Sequence, residues 1–242
     1  MSQIIHLICN AHLDPVWLWK REEGVAEALS TFETAVRFCK ETDGFVFNHN
    51  EAVLYQWIEQ YDPALFKEIQ ELVAQGKWHI MGGWYLQPDC NMPSGESFVR
   101  QILEGRTYFK EKFGAEPTTA INFDPFGHSR GLVQILAKAG YDSYIVCRPG
   151  QEDFHVDENT FLWEGYDGSQ IMVHRLTNGY QSGLGRVQAK IEKYMDENQD
   201  GPIGMVLWGV GNHGGGPSAE DLATIQNMMD SGANLIHSTP EE

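Results

Sequence analysis

Ile4-Ile5-His6-Leu7-Ile8-Cys9-Asn10-Ala11-His12-Leu13-Asp14-Pro15-Val16-Trp17 begins as an apolar run, breaks into a polar loop and leads into a helical pattern. Residues 4–9 are short, apolar and bounded by polar residues, as a buried strand is. Beyond the loop, residues 21–41 place Val25, Leu29, Phe32, Val36 and Phe38 at helical spacing. Acids gather near the start of that helix, where its dipole favours them. Strand, loop and helix form the first unit of an α/β chain.

The unit recurs. Strands are expected at 45–47, 78–81, 118–123, 143–147, 203–208 and 234–236. Helices are expected at 51–60, 63–75, from Ser94 to Phe113, and at 132–139, 185–197 and 219–229. Segments 161–164 and 171–176, split by Tyr166-Asp167-Gly168-Ser169, read as a hairpin. The alternation predicts one α/β domain over residues 1–242 around a mainly parallel sheet, open or closed as a barrel. Ligands of such folds bind beyond the carboxyl ends of the strands. Those ends carry His12 and Asp14, Asn48 and His49, Trp84 and Asp89, Asp124 and His128, and Asn212 and His213.

Composition excludes several classes. A formal charge of −17 disfavours nucleic acid and anionic membranes as partners. No apolar run approaches the about 18 residues of a membrane span, and the first residues lack the marks of a signal peptide. The 4 cysteines are scattered without a Cys-x-x-Cys pair, which points to free thiols in a reducing, cytoplasmic setting. The glycines at 214–216 lack the Gly-Lys-Ser/Thr ending of a phosphate loop. Thr239-Pro240-Glu241-Glu242 has the N-cap, proline and acids of a helix opening, so the chain is expected to be the N-terminal part of a longer protein.

His12 and Asp14 flank Leu13 in an extended segment, so both side chains can face one way. An imidazole nitrogen and a carboxylate oxygen suit zinc or a similar divalent ion. The alternative is a rim histidine beside an acid that caps the next helix. In Asp124-Pro125-Phe126-Gly127-His128-Ser129 the proline restricts the backbone of the preceding aspartate. An aspartate so held can serve as a nucleophile or, in the simpler reading, as an N-cap. Trp17 and Trp84, in loops just past strands, offer faces for stacking on a sugar, or core packing.

His12-Leu13-Asp14-Pro15-Val16-Trp17, Gly82-Gly83-Trp84, Pro93-Ser94-Gly95-Glu96 and Asp124-Pro125-Phe126-Gly127-His128-Ser129 stand in the order found in glycoside hydrolase family 38, the zinc-dependent retaining α-mannosidases. The chain resembles the N-terminal catalytic domain of that family along nearly its whole length. The resemblance implies a (β/α) barrel with about seven parallel strands, similar to the polysaccharide deacetylase-like fold. It implies one Zn2+ held by His12, Asp14 and Asp124, with a fourth ligand beyond residue 242, so that this chain alone is expected to be inactive. Asp124 then doubles as the nucleophile, and Trp17 lines the subsite of the cleaved mannose. The implied substrate is a mannose-containing oligosaccharide, and a homo-oligomer of the full-length protein is compatible with it.

One departure concerns the proton donor. The family places a carboxylate in a loop like the one after Trp208, yet none stands between Trp208 and Ser218. His213 takes that place, or the acid comes from elsewhere, with Asp89 a candidate, or the specificity differs. Trp84, Asp89 and Asn212 are the further expected substrate contacts. Two other readings are a metal-dependent carbohydrate deacetylase and a non-catalytic carbohydrate-binding fragment.

Overall fold

The computed structural model describes residues 3–150, 152–198, 201–211 and 215–242. In chain order the elements are β1 (Ile4–Asn10), α1 (Arg21–Glu41), β2 (Phe47–His49), α2 (Ala52–Tyr61), α3 (Pro63–Ala74), β3 (Trp78–Ile80), α4 (Gly95–Phe113) and β4 (Thr119–Asn122). They continue with α5 (Gly131–Lys138), β5 (Ser143–Val146), β6 (Thr160–Glu164), β7 (Gln170–Arg175), α6 (Val187–Glu197), β8 (Ile203–Trp208), α7 (Ala219–Asp230) and β9 (Leu235–His237).

The strands form two sheets. One runs β3-β2-β1-β8, with β9 also paired to β1, and every pairing in it is parallel. The other runs β4-β5-β7-β6, parallel except for the expected β6–β7 hairpin, whose register runs from Thr160 opposite His174 to Glu164 opposite Gln170. Side chains alternate across each strand. Ile5, Leu7 and Cys9 of β1 join the outer core with Phe32, Ala35 and Val36 of α1. Ile8 instead meets Met81, Ile121, Phe123, Ile145, Leu176, Tyr180 and Leu207. Both sheets contribute to this inner cluster, so they curve about one filling.

Strand pairing among the described residues does not close a seven-strand barrel. On one side β6 takes the outer edge of β7, the edge that β8 would need. The contact there is made past the strand ends, where Ser182 N–H donates to the Gly209 carbonyl at 2.9 Å. On the other side no ladder joins β3 to β4 among the described residues; side chains span the seam. Trp84 Nε1–H donates to the Ile121 carbonyl at 2.8 Å. Glu241 pairs with His79 Nε2 of β3 at 2.7 Å and accepts from Thr119 N–H of β4 at 3.4 Å. Residues 239–242 form a single turn, in which Glu242 reaches back to Thr239 N–H at 3.3 Å.

The loop after β1 is fixed by contact with α1. A Cβ placed on Gly24 would lie 2.0 Å from the Pro15 carbonyl oxygen, so only glycine lets that helix approach so closely. Among the described residues no helix is long and apolar enough to cross a membrane. All four cysteines are free thiols.

Candidate active site

Loops leaving β1, β2, β3 and β4 meet around a cavity of about 220 Å³ lined by His12, Asp14, Glu51, Gln87, Asp89 and Asp124, with Val16 and Phe126 at its wall. His12, buried at 6 % exposure, points Nε2 at Asp14 Oδ1 from 3.4 Å and tilts its ring over Tyr180 at 5.1 Å. Burial pushes the His12 pKa down, yet the neighbouring carboxylates of Asp14, Glu51 and Asp124 outweigh it and the net shift is upward.

Asp124, just past β4, is anchored through one oxygen. Arg148 Nη2 pairs with its Oδ1 at 2.9 Å, and the Tyr180 hydroxyl donates to the same oxygen at 3.1 Å. Arg148 is itself held on two sides, with its guanidinium 4.7 Å from the Phe126 ring centroid. Its carbonyl accepts from His128 Nε2–H at 2.6 Å. A carbonyl cannot donate, so Nδ1 of His128 is the acceptor, and the Tyr144 hydroxyl donates to it at 2.8 Å. Burial lowers the His128 pKa, in keeping with this neutral tautomer. The histidine of the Asp-Pro-Phe-Gly-His-Ser block is thus a strut that sets Arg148 against Asp124.

Gln87 ties the loops together. Its Oε1 accepts from Phe123 N–H at 2.9 Å, its Nε2 lies 3.4 Å from His12 Nδ1, and its own N–H donates to Glu51 Oε1 at 3.2 Å. Glu51 is 1 % exposed, and burial pushes its carboxyl pKa up to about 7, against opposing pulls from His12 and Gln87.

The expected site residues fall into three groups. His12, Asp14, Asp89 and Asp124 line one cavity, with the Asp89 carboxylate also accepting from Asn91 N–H at 3.0 Å. Trp17 is exposed beside Val16, edge-on to Trp19, and does not itself line the cavity. Trp84 is a correction: it is fully buried, with its indole N–H spent on Ile121, and has no face for a sugar. Asn212 and His213 lie outside the described residues. His49, expected on the rim, sits instead in the core against Phe32 at 4.7 Å and Tyr55 at 5.5 Å. Asn48 is likewise buried, donating to the Ser238 carbonyl at 3.0 Å.

Glu51, Gln87, Arg148 and Tyr180 were missed. Glu51 follows Asn48-His49-Asn50 at a strand end and Gln87 stands three residues past Gly82-Gly83-Trp84, the positional signals that could have found them; Arg148 and Tyr180 belong to loops without a motif.

Imidazole and carboxylate donors are the right chemistry for zinc. Glu51 Oε2 is buried without a hydrogen-bond partner, and His12 Nε2 has only the Asp14 carboxylate at 3.4 Å, which also fits a cation. Among the described residues, however, no three His, Cys, Asp or Glu side chains stand ready as a metal cluster. An ion would have to draw its ligands inward.

The sequence model of the glycosyl hydrolases family 38 N-terminal domain matches residues 2–242. The chain belongs to that family. It is 30 % identical over 228 residues to alpha-mannosidase 2C1 of Mus musculus, covering 93 % of this chain and 22 % of the relative. Alpha-mannosidase G of Dictyostelium discoideum is 29 % identical over 239 residues, covering 96 % of this chain and again 22 % of the relative. The chain therefore spans about a fifth of the length of these relatives. Among solved structures, an alpha-mannosidase from Enterococcus faecalis superposes with a TM-score of 0.83 at 20 % identity, over 99 % of this chain and 28 % of that one. A protein described as a polysaccharide deacetylase from Mycobacterium smegmatis superposes at 0.65 and 12 % identity, over 100 % of this chain and 89 % of that one. Family 38 and deacetylase-like proteins thus share this α/β fold.

Proposed function

We propose that this chain is the catalytic domain of a retaining, zinc-dependent α-mannosidase that cleaves terminal mannose from oligosaccharides in the cytoplasm. Membership of family 38 and relatives named as alpha-mannosidases support the substrate class. The observation that carries the mechanism is the double anchoring of Asp124 Oδ1 by Arg148 and Tyr180 in the cavity shared with His12 and Asp14.

His12, Asp14 and Asp124 would hold the zinc, which would supply Lewis-acid charge to the bound sugar. With Oδ1 fixed, Asp124 attacks the anomeric carbon through Oδ2. The glycosidic C–O bond breaks, and the leaving oxygen takes a proton from His213 or Asp89. Water then attacks the glycosyl–Asp124 ester, and the same group takes its proton. The anomeric configuration is inverted twice and so retained. Trp17 offers its exposed ring to the sugar, and Asp89 and Asn212 contact its hydroxyls.

The test is to trap the ester with a fluorinated mannoside in the full-length protein and locate the added mass by peptide mass spectrometry. An adduct on Asp124 is expected. Turnover of mannosides with no adduct would favour a metal-bound water as nucleophile, as in deacetylases, and would end this reading.

A further inference from the structure

The β4-β5-β7-β6 sheet borders a second cavity, which the mechanism above does not use. Val146 of β5, Val173 and Arg175 of β7, and Phe161 and Trp163 of β6 share one face of that sheet, by strand alternation and register. Part of the face is covered by α5, whose Leu132, Val133 and Leu136 join a core cluster with Val146 and Val173. The rest borders a cavity of about 370 Å³, completed by the loops bearing His128, Arg148 and Phe154. That volume is within the range of small-molecule sites.

The lining is apolar and aromatic apart from His128, Arg148 and Arg175, and its charge has one sign. No carboxylate lines it, in a chain of formal charge −17. His128 is neutral, since Nε2–H donates to the Arg148 carbonyl and Nδ1 accepts from Tyr144. Arg175 is 4 % exposed, and its guanidinium meets neutral acceptors alone: the Phe154 carbonyl at 2.6 Å and Asn159 Oδ1 at 3.3 Å. Those bonds occupy two of its five N–H donors, and a guanidinium cannot shed its charge. A cation buried without a counter-ion is costly. Asp157, an acid of the adjoining loop, is 98 % exposed and pairs instead with His155 at 3.4 Å.

Arg148 connects this cavity to the candidate active site. Arg175 stands opposite Val146, two residues before Arg148, so both cations lie at one end of the sheet. Arg148 lines the second cavity, while its Nη2 pairs at 2.9 Å with Asp124, which lines the first. An apolar cavity with two guanidinium groups fits a small carboxylate carried on an aromatic or branched apolar body. Such a body buries against Phe161, Trp163 and Val173, and the carboxylate takes charge-assisted bonds from the two arginines. We propose that this cavity binds a carboxylate of that class, and that the bound anion competes with Asp124 for Arg148. The inference needs neither the metal nor the glycosidase reading.

Isothermal titration calorimetry of the intact protein tests it, with 3-phenylpropionate as the probe. The controls are 3-phenylpropan-1-ol, its uncharged counterpart, and acetate, the anion without a body. The probe is expected to bind about tenfold or more tightly than either control. Arg175→Met is expected to weaken the probe by about tenfold or more. Asp124→Asn, which releases Arg148, is expected to tighten it severalfold. Thermal unfolding checks that both variants fold, and the comparison of the three compounds on wild type decides the matter if Arg175→Met does not. Absence of probe binding to wild type would overturn the proposal. So would equal binding of the alcohol, which shows that the charge is not recognised, or of acetate, which marks an adventitious anion only. A folded Arg175→Met that binds as well as wild type places the probe elsewhere and has the same force. Unchanged affinity in Asp124→Asn would overturn the competition for Arg148.

Discussion

His12 and His49 are both buried, both follow or end a strand of the same parallel sheet, and differ in what surrounds them. His49 is enclosed by Phe32, Phe47 and Tyr55, neither ring nitrogen has a partner, and burial drives its pKa down to about 3. His12 is nearly as buried but faces Asp14, Glu51 and Asp124, and its pKa goes up. Burial alone makes a histidine a neutral core residue. Burial among carboxylates makes it part of a charged site. The sequence neighbourhoods, Ala-His-Leu-Asp and Asn-His-Asn-Glu, do not look that different.

The largest effect should come from stripping the acids away from the His12 side. Asp124→Ala in the full-length protein is expected to lower kcat/KM by about a thousandfold or more, whereas His49→Phe keeps activity and changes stability alone. Steady-state kinetics beside urea unfolding of the two variants checks the pair. Next in size is the support of the His12 loop. Gly24→Ala pushes a methyl into the Pro15 carbonyl and should cost about 3 kcal/mol, seen as a lower urea midpoint.

Acid should then expose the His49 side. The unfolded chain binds a proton on this residue below about pH 6.5, whereas the folded one resists until about 3. Stability from this group is therefore complete above 6.5 and is lost as pH falls toward 3. At pH 5 the loss is about 2 kcal/mol. His12 has the opposite sign: its raised pKa contributes stability below 6.5 that fades as pH rises through the folded value. Urea unfolding of wild type and His49→Phe at pH 7 and pH 5 isolates the first effect, since the variant should lose its share of the slope. The smallest expected change is Trp84→Phe, which orphans the Ile121 carbonyl at a cost of about 1.5 kcal/mol and leaves KM unaltered. A raised KM would return Trp84 to the substrate.

Much of this arrangement could be read from residue order. Apolar runs ending in His12, Asp14 and Asp124 marked strand ends, and strand ends of an α/β sheet converge on one rim. What stayed hidden depends on distance in space. Glu51 reads as an ordinary acid at the head of a helix, because nothing local says that its backbone turns left-handed. Trp84 after two glycines reads as a loop aromatic, because its hydrogen bond lies 37 residues away. Arg148 and Tyr180 act on Asp124 from 24 and 56 residues downstream, beyond any local pattern. A closed barrel is not shown by the pairing among the described residues for a similar reason: the hairpin was legible, but not which edge of β7 it would occupy.

The seam between β3 and β4 has one further implication. A backbone ladder there would lock the two sheets at a fixed width, but an indole and a carboxylate act more like a hinge pin and a clasp. The loop bearing Gln87 and Asp89 stands on one leaf and Asp124 on the other. The width of the cavity's mouth is therefore set by side chains, Gln87 on the Phe123 N–H among them, and a substitution at that join can alter it without breaking a strand ladder.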